Sequence, residues 1–524
     1  MTQLDGLNEL TAPVPAAWFL VRNGVNDRKV KASVLRSWMT TRLNVKDFGA
    51  VGDGVADDTA AIVACLNALP AGRTTKARVL LHGTFLVSAT ITIPSYTVLQ
   101  LDGILRLKNG SNATVLRVNN GQHIEIVGGE IDGNRANNTV GYGMLVHPGQ
   151  HIRVCDTFMH DAPEANLRVM GGSSFIEIES NRFVDGGTGN IYLQHATAQQ
   201  GQPQLYITNV KLRGNTAEYT TYIRPNLTNI NLMNARDVIV SENDLSGLCD
   251  FGIHTEEHLT NAVISGNLIR GHTQDGIRMA YASYVTITGN NIKDNGQRGI
   301  SLAQEANNFT IVGNGVNHNG WSGIVLEDCR YGLVSANTVT NNNQSDHPIF
   351  NAGIQIYSVG GYAPLYNAVI SNVARDDQDV PTQQYGVKEE GYLADYSLIE
   401  RNDTRGNAID GVFKSLWGTN HTVTRDNLGQ QGILQFAAND ATPSVANDIG
   451  VYKTANTQAT TITAFDNGYV GQTITVFIRD SFTTVDFTGT NLKRDGGVDW
   501  TPANGSWLEG VFDGVNWCCT VYSV

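Results

Sequence analysis

The sequence predicts an all-β solenoid of parallel strands, and three observations predict it. Between Asp250 and Asn343 a Gly-aliphatic pair recurs at Gly252-Ile253, Gly276-Ile277, Gly299-Ile300 and Gly323-Ile324, at spacings of 24, 23 and 24 residues. An Asn keeps nearly the same step at Asn243, Asn267, Asn290, Asn314 and Asn337. A fixed period of this length marks a repeat architecture. Within each repeat the apolar residues alternate in short runs, so the unit is a few short strands. Gly and Asn interrupt any helical period. Rungs stacked ~4.8 Å apart pool their Ile, Val and Leu into a core that no single rung could bury. The recurrent Asn fits a tight corner, because it tolerates left-handed backbone and hydrogen-bonds its neighbours.

Composition agrees with that architecture. A chain of 524 residues exceeds an ordinary single core, but a solenoid grows in one dimension. Its 55 glycines and only 16% charged residues suit many turns and few helices. A net charge of −13 argues against nucleic acid or an anionic membrane as partner, while leaving room for a local cationic groove. No apolar run reaches membrane-spanning length, and no basic region with an apolar core follows Met1, so a soluble chain without an ordinary secretion signal is expected. The six cysteines have no metal spacing and read as small buried hydrophobes. No metal and no cofactor are expected.

Taken in order, residues 1–41 read as a small separate unit with a strand from Trp18, a turn at Asn23-Gly24 and a basic helix from about Ala32. In 43–69, Leu43, Val45 and Phe48 make a strand, and Gly49 to Gly54 a turn. Asp57 or Asp58 then caps an amphipathic helix with Ile62, Leu66 and Leu69 on one face. Such a helix can cover the open end of the coil. Rungs follow from Val79, with register marks at Gly143-Met144, Asn166-Leu167 and Asn190-Ile191. Longer excursions break the register at 195–205, 216–228, 341–351, 358–365 and 374–385, and insertions on a repeat scaffold often wall a binding face. The pattern fades after Leu434. The Thr-rich tail, 439–524, reads as a small β domain with a hairpin turn at Asp513-Gly514.

The run V-K-D-F-G-A-V-G-D-G-x-x-D-D-T-x-A-I from Val45 to Ile62 resembles the entry motif of the pectate-lyase-like right-handed β-helix superfamily, which includes phage tailspike depolymerases and alginate epimerases. Its acidic residues are read as loop and cap groups. The K-V-K-A-S-x-L run in the first segment resembles the attachment segments of phage tail fibres and tailspikes. The resemblance implies a right-handed parallel β-helix over 42–438, between a virion-attachment segment at 1–41 and a trimerisation or carbohydrate-binding domain at 439–524. It further implies a homotrimer on a phage tail, joined to a tail or baseplate protein. Made in the host cytoplasm, it would bind and cut a bacterial capsular or O-antigen polysaccharide at the cell surface. In one respect the chain departs from the epimerases: Tyr142-Gly143-Met144-Leu145-Val146-His147 matches their Tyr-Gly-Phe-Asp-Pro-His rung, with Leu145 in place of the carboxylate.

Residues one and three places after the inward aliphatic point outward. They give a floor of aromatics, amides and charges that includes Tyr192, Gln194, Met233, Glu327, Tyr357 and Lys388, suited to binding sugars. The densest cluster is Asp250, His254, Glu256, Glu257, Asp275 and Arg278. Asp250 and Asp275, one rung apart, approach the ~5 Å carboxyl separation of retaining glycosidases. Glu256 with Asp275, ranked first as a catalytic pair, reaches the ~6.5–9.5 Å inverting separation if the chain bends at Gly252 and Gly276. Arg278 would bind an acidic sugar or hold a carboxylate ionised, and a surface ion pair between Glu256 and Arg278 is the plain alternative. His254 as base, with Tyr192 or Arg278, would suit a lyase. Endo-hydrolysis is expected over β-elimination, and a non-catalytic receptor-binding spike is the third reading, since fold alone does not choose.

Overall fold

The computed structural model describes residues 42–194, 205–221, 225–359, 361–414, 421–429, 433–445 and 450–524, with the strands Trp18–Asn23 and Asn26–Lys31. Those two strands pair antiparallel, as the expected strand and turn require. The basic helix expected from Ala32 lies outside the described residues. Beyond them the chain is nearly all β, a parallel right-handed solenoid. It separates into two compact units near Asn190–Ile191.

In the first unit, long strands stack in parallel register, such as Ala77–Val87 on Thr97–Leu107 and Leu116–Val127 on Met144–Cys155. The helix Thr59–Asn67 buries Ile62, Cys65 and Leu66 and packs on Ala77–Val87 and Ile91–Thr92. The two aspartates before it divide the work. Asp57 accepts from the Thr59 amide at 3.2 Å and hydroxyl at 2.6 Å. The Asp58 carboxylate turns back to the amides of Val51 and Gly52, at 2.6 and 3.1 Å, and shapes the preceding loop. Hydrogen bonds from Ser88 and Thr59 and the charge of Lys108 bring the Asp57 pKa down to about 2.

In the second unit, as far as Arg375, each turn repeats three short strands. Ile253, Ile277, Ile300, Ile324, Ile354 and Val387 stack in register, all fully buried. Each contributes roughly 1.5–3 kcal/mol of burial. The glycine before them is steric. A Cβ on Gly276 would lie 2.8 Å from the Gly299 carbonyl oxygen and 2.7 Å from Ile292.

The recurrent asparagines are corners, with a division of labour the sequence does not announce. The left-handed backbone falls on the residue before each one: Glu242, Gly266, Gly289, Gly313 and Ala336. The Asn side chain itself turns inward and is buried. Each amide donates to the next, Asn243 to Asn267 at 2.9 Å, Asn267 to Asn290 at 2.8 Å and Asn290 to Asn314 at 2.9 Å. A second amide column joins Asn295, Asn319 and Asn342 at 2.9 Å per step. The fully buried His272 caps it, 2.8 Å from Asn295 through Nδ1 and 3.1 Å from Asn229 Nδ2 through Nε2.

Parallel pairing continues past 438. Leu434–Gln435 pairs with Val451–Lys453, and that strand pairs with Thr473–Phe477. Antiparallel strands Trp507–Phe512 and Trp517–Tyr522 then close the sheet through the expected Asp513-Gly514 turn. Trp517, Tyr452, Phe465 and Phe487 fill this region's own core. Among the cysteines Cys518 is exposed, whereas the other five are buried as expected.

Candidate active site

One face of the second unit gathers most of the expected residues. Its first column runs Tyr192, Asn231, His254, Arg278, Ser301, Val325, Gln355, Lys388. Met233, expected in this column, gives way to Asn231, because the excursion near 195–205 hides the register. This column is largely covered rather than exposed. Ser301 and Gln355 are fully buried, Lys388 is 5% and His254 6% exposed. Over Gln355 and Lys388 the cover is the insertion at 341–351. Gln355 donates to the Ile349 carbonyl at 3.1 Å, and Lys388 Nζ lies 3.2 Å from both that carbonyl and Asn351 Oδ1.

The second column, two residues further along each strand, reaches the surface in part: Glu256, Glu327, Tyr357 and Glu390 are exposed or half-buried, whereas Ala280 and Ala303 are buried. Glu327, Tyr357 and Glu390 stand there on three successive rungs. Ala280 and Ala303 precede them and keep the floor low between Glu256 and Glu327. Two rungs at ~4.8 Å place Glu327 and Glu390 roughly 10 Å apart along the coil, with the Tyr357 ring between them. Burial raises the Tyr357 pKa, and the nearby Glu390, Glu327 and Asp328 carboxylates raise it further. Lys388 pairs with Glu390 at 2.7 Å and sits over the rings of Tyr385 and Phe413, 5.4 and 5.9 Å from their centroids.

The cluster centred on Asp275 has a different shape from the expected one. Asp275 has no exposed side-chain surface, and its Oδ2 lies 3.7 Å from both Arg278 and Arg298. In this arrangement its carboxylate faces Arg278 and Arg298 rather than the surface. Asp250 lines up with Gln274 rather than Asp275, since Ile253 pairs with Ile277. Its carboxylate holds a corner, accepting from Thr273 Oγ1 at 2.6 Å and from the Asn226 amide. The retaining-type separation between Asp250 and Asp275 therefore has no counterpart. Arg278 faces Asp275 rather than making the expected Glu256 pair. The half-exposed Glu256 carboxylate lies 3.4 Å from His254 Nε2 instead. That ring, and Arg278 after it, hold the Glu256 carboxyl below its ordinary range. His254 stacks on Phe251 at 4.3 Å.

Sequence reasoning missed Arg298, the hub of the face. It reaches Asp275 at 3.7 Å and Glu327 at 3.6 Å. The ring of Phe350 lies 4.0 Å from its guanidinium and that of Trp321 lies 5.3 Å away. Trp321 in turn packs on His347 at 4.2 Å. The signal was a charged residue directly before Gly299-Ile300, a position left out of a column count that began after the glycine. Several other buried polar atoms here have no hydrogen-bond partner: Asp275 Oδ2, Arg278 Nε, Arg298 Nε and Ser301 Oγ. Of these groups Arg278 is about a quarter exposed and can turn its donors to a bound molecule, whereas Asp275, Arg298 and Ser301 are enclosed by the chain.

In the first unit Glu130, Asp132 and His160 bring their ligand atoms within 4.8 Å of one another. All are engaged. Asp132 accepts from Arg106 at 2.6 Å, and His160 lies 2.8 Å from Asp161 and 3.1 Å from Glu130. Burial opposes charge on His160, but the hydrogen bonds to Asp161 and Glu130 outweigh it and raise its pKa. This is an ion-pair network rather than an open coordination site. On the rung that departs from the epimerase pattern, Arg168 bonds the Tyr142 hydroxyl and stacks 5.2 Å from its ring.

Comparison with known proteins agrees with this architecture. Residues 42–140 match the family model described as rhamnogalacturonase A/epimerase, pectate lyase-like, and 197–372 match the right-handed β-helix region. The fold is similar to the A-module of the mannuronan C-5 epimerase AlgE6 of Azotobacter vinelandii, with a TM-score of 0.52 and 19% identity over 74% of this chain and 98% of that one. It is also similar to the Dettilon tailspike protein, with a TM-score of 0.51 and 16% identity over 72% of this chain and 69% of that one. A mutant tailspike protein of E. coli bacteriophage HK620, in complex with a hexasaccharide, gives a TM-score of 0.50 and 12% identity over 76% and 82% of the two chains. A curated relative, the plasmin and fibronectin-binding protein A of Streptococcus pneumoniae, is 25% identical over 189 residues, 30% of this chain. The match spans about a quarter of that protein, 26% of its length. At these identities the solved structures establish the fold, and the chemistry rests on the site.

Proposed function

We propose that this pectate-lyase-like right-handed β-helix is a phage tailspike that binds a bacterial capsular or O-antigen polysaccharide and hydrolyses it within the chain. The observation that carries this is the pair Glu327 and Glu390, two rungs apart across Tyr357 on the second column. Their spacing of roughly 10 Å along the coil, adjustable by side-chain rotation, suits the ~6.5–9.5 Å separation that leaves room for a water in an inverting hydrolase. Glu390 is the more exposed of the two and is held by Lys388, so it is placed as the base that activates water. Glu327, the less exposed of the two, is assigned as the acid that protonates the leaving oxygen, burial favouring its protonated form and Arg298 orienting its carboxyl. The half-buried rings of Tyr357, Trp321 and Phe350 offer faces to the sugar, and Glu256, ionised beside His254, binds hydroxyls further along the floor. Tyr192 and Gln194 lie toward the other end of the same face. The same reading makes the chain a homotrimer whose first segment meets the tail, a state that sedimentation of the intact protein reads directly.

The test is to incubate the protein with polysaccharides from a panel of bacterial hosts, following chain length, reducing ends and ultraviolet absorbance together. Shortening with new reducing ends and no absorbance is expected. Glu327→Gln and Glu390→Gln should each slow it at least about a hundredfold while the polysaccharide still binds. Absorbance from a new C=C bond would replace hydrolysis with β-elimination and shift interest to His254, Arg278 and Tyr357. Binding without any shortening would leave a receptor-binding spike.

A further inference from the structure

Beside the groove lies a second hollow with the chemistry of a single sugar. The groove floor ends at Glu327, and the next residue, Asp328, turns the corner with a left-handed φ of 54°. Together with Glu305, Asn308, Arg330, Tyr331 and Tyr362 it lines a hollow of about 260 Å³. One amide opens it. At this outer corner successive rungs place Tyr284, Asn308, Tyr331, Tyr366 and Tyr396, all in left-handed backbone. Tyr331, Tyr366 and Tyr396 stack ring on ring at 5.5 and 5.3 Å, and His421 extends the column at 4.5 Å. Asn308 interrupts it, so the face of Tyr331 turned away from Tyr366 meets a short amide instead of a ring. That face borders the hollow.

Bulky residues are strained in left-handed backbone, where Asn and Gly sit comfortably. Asn261 and Asn308 occupy the same corner on other rungs, so the tyrosines are not there for the turn. They remain open to solvent, Tyr331 at 55% and Tyr362 at 47% exposure. The hollow also carries a sign. Glu305 and Asp328 contribute two carboxylates, and the Tyr362 hydroxyl hydrogen-bonds Glu305. Among its described lining residues the one cation, Arg330, already gives its Nε to the Ala363 carbonyl at 2.8 Å. A uronate would meet net negative charge, whereas sugar hydroxyls would find two strong acceptors.

We infer that this hollow is a saccharide subsite for one neutral pyranose, its apolar face on Tyr331 and its hydroxyls donating to Glu305 and Asp328. The inference deepens the polysaccharide reading and rests on it for the longer ligand, in which this unit would follow those on the Glu327–Glu390 floor. Single sugars separate the two, because a pyranose can bind here whether or not any polymer is cut.

The experiment is saturation-transfer NMR on the full chain with the methyl glycosides of glucose, galactose and mannose and with N-acetylglucosamine. Glucuronic and galacturonic acids serve as charged counterparts. At least one neutral sugar should bind, with either acid at least about tenfold weaker. Tyr331→Asn, which installs a residue this corner already accepts, should weaken the neutral sugar at least about fivefold, and so should Glu305→Gln. Asp102→Asn, a well-exposed carboxylate in the first unit, should leave it within about twofold. Failure of every neutral sugar, equal binding of the acids, or undiminished binding to Tyr331→Asn would each overturn the assignment.

Discussion

Two sets of buried polar side chains run along the same rungs of the second unit, and they end in opposite states. In the amide columns each side chain is matched: Asn290 donates to Ile264 O at 3.0 Å and to Asn314 at 2.9 Å, and accepts from the Asn267 amide at 2.9 Å. On the groove face, Asp275, Arg278, Arg298 and Ser301 hold buried atoms with no hydrogen-bond partner. Both sets share one backbone register, so the scaffold did not impose the difference. Repetition lets identical neighbours satisfy one another, and the face that abandons repetition is left with needs its own neighbours do not meet.

The largest test of it is Asp275→Asn. Among the described residues, the substitution removes the only carboxylate within 4 Å of Arg278 and leaves the 6% exposed Arg298 with Glu327 alone. Loss of about 4 kcal/mol in chemical denaturation is expected, with a fall in activity if Arg298 also sets Glu327. Stability unchanged within about 1 kcal/mol would mean that the charges on this face are held by solvent instead. Nearly as large is Asn290→Ala in the matched column. It strands the Asn267 amide, the Asn267 side chain and the Ile264 carbonyl together, for about 3–4 kcal/mol. A small effect there would show that the ladder is decoration on an apolar core.

The third test sets a titratable group inside a column of amides. Burial brings the His272 pKa down to about 4 from an ordinary value near 6.5. As pH falls below 6.5 the unfolded chain takes up a proton that the folded one refuses until about pH 4. Stability present above pH 6.5 should therefore drain away between pH 6.5 and 4, by up to about 3 kcal/mol. The denaturation midpoint followed across that window should slope downward with acid, and His272→Gln should flatten it. An unchanged slope in the variant would assign the acid sensitivity elsewhere.

The coil was legible because periodicity is a property of residue types in order. The Gly-Ile step, the amide step and the entry run from Val45 each survive as a string of letters. Register was legible only where the period held, which is why Met233 displaced Asn231 after the long excursion. Carboxylates were legible as chemistry but not as geometry. Nothing local distinguishes Asp250, bound to Thr273, or Asp275, sealed behind two arginines, from Glu390 on the second column. The insertion at 341–351 was legible as an insertion, yet its cover over Gln355 and Lys388 depends on where Ile349 and Phe350 come to rest. Arg298 joins residues far apart in sequence, and only folding assembles such a hub.

The smallest effect is the most discriminating. Ser301 is fully buried on the groove face, and its hydroxyl has no hydrogen-bond partner. Ser301→Ala removes one oxygen, leaves no neighbour stranded and opens almost no space. If this face is unsatisfied in the protein alone, the variant should be as stable as the parent or more stable by up to about 1 kcal/mol. The corresponding change in the amide column is destabilising because partners are left behind, so the two alanine variants should differ in sign or nearly so. A loss of more than about 1 kcal/mol from Ser301→Ala would mean that its hydroxyl is matched in solution, by water or by a shifted neighbour. The groove face would then be as self-sufficient as the corners.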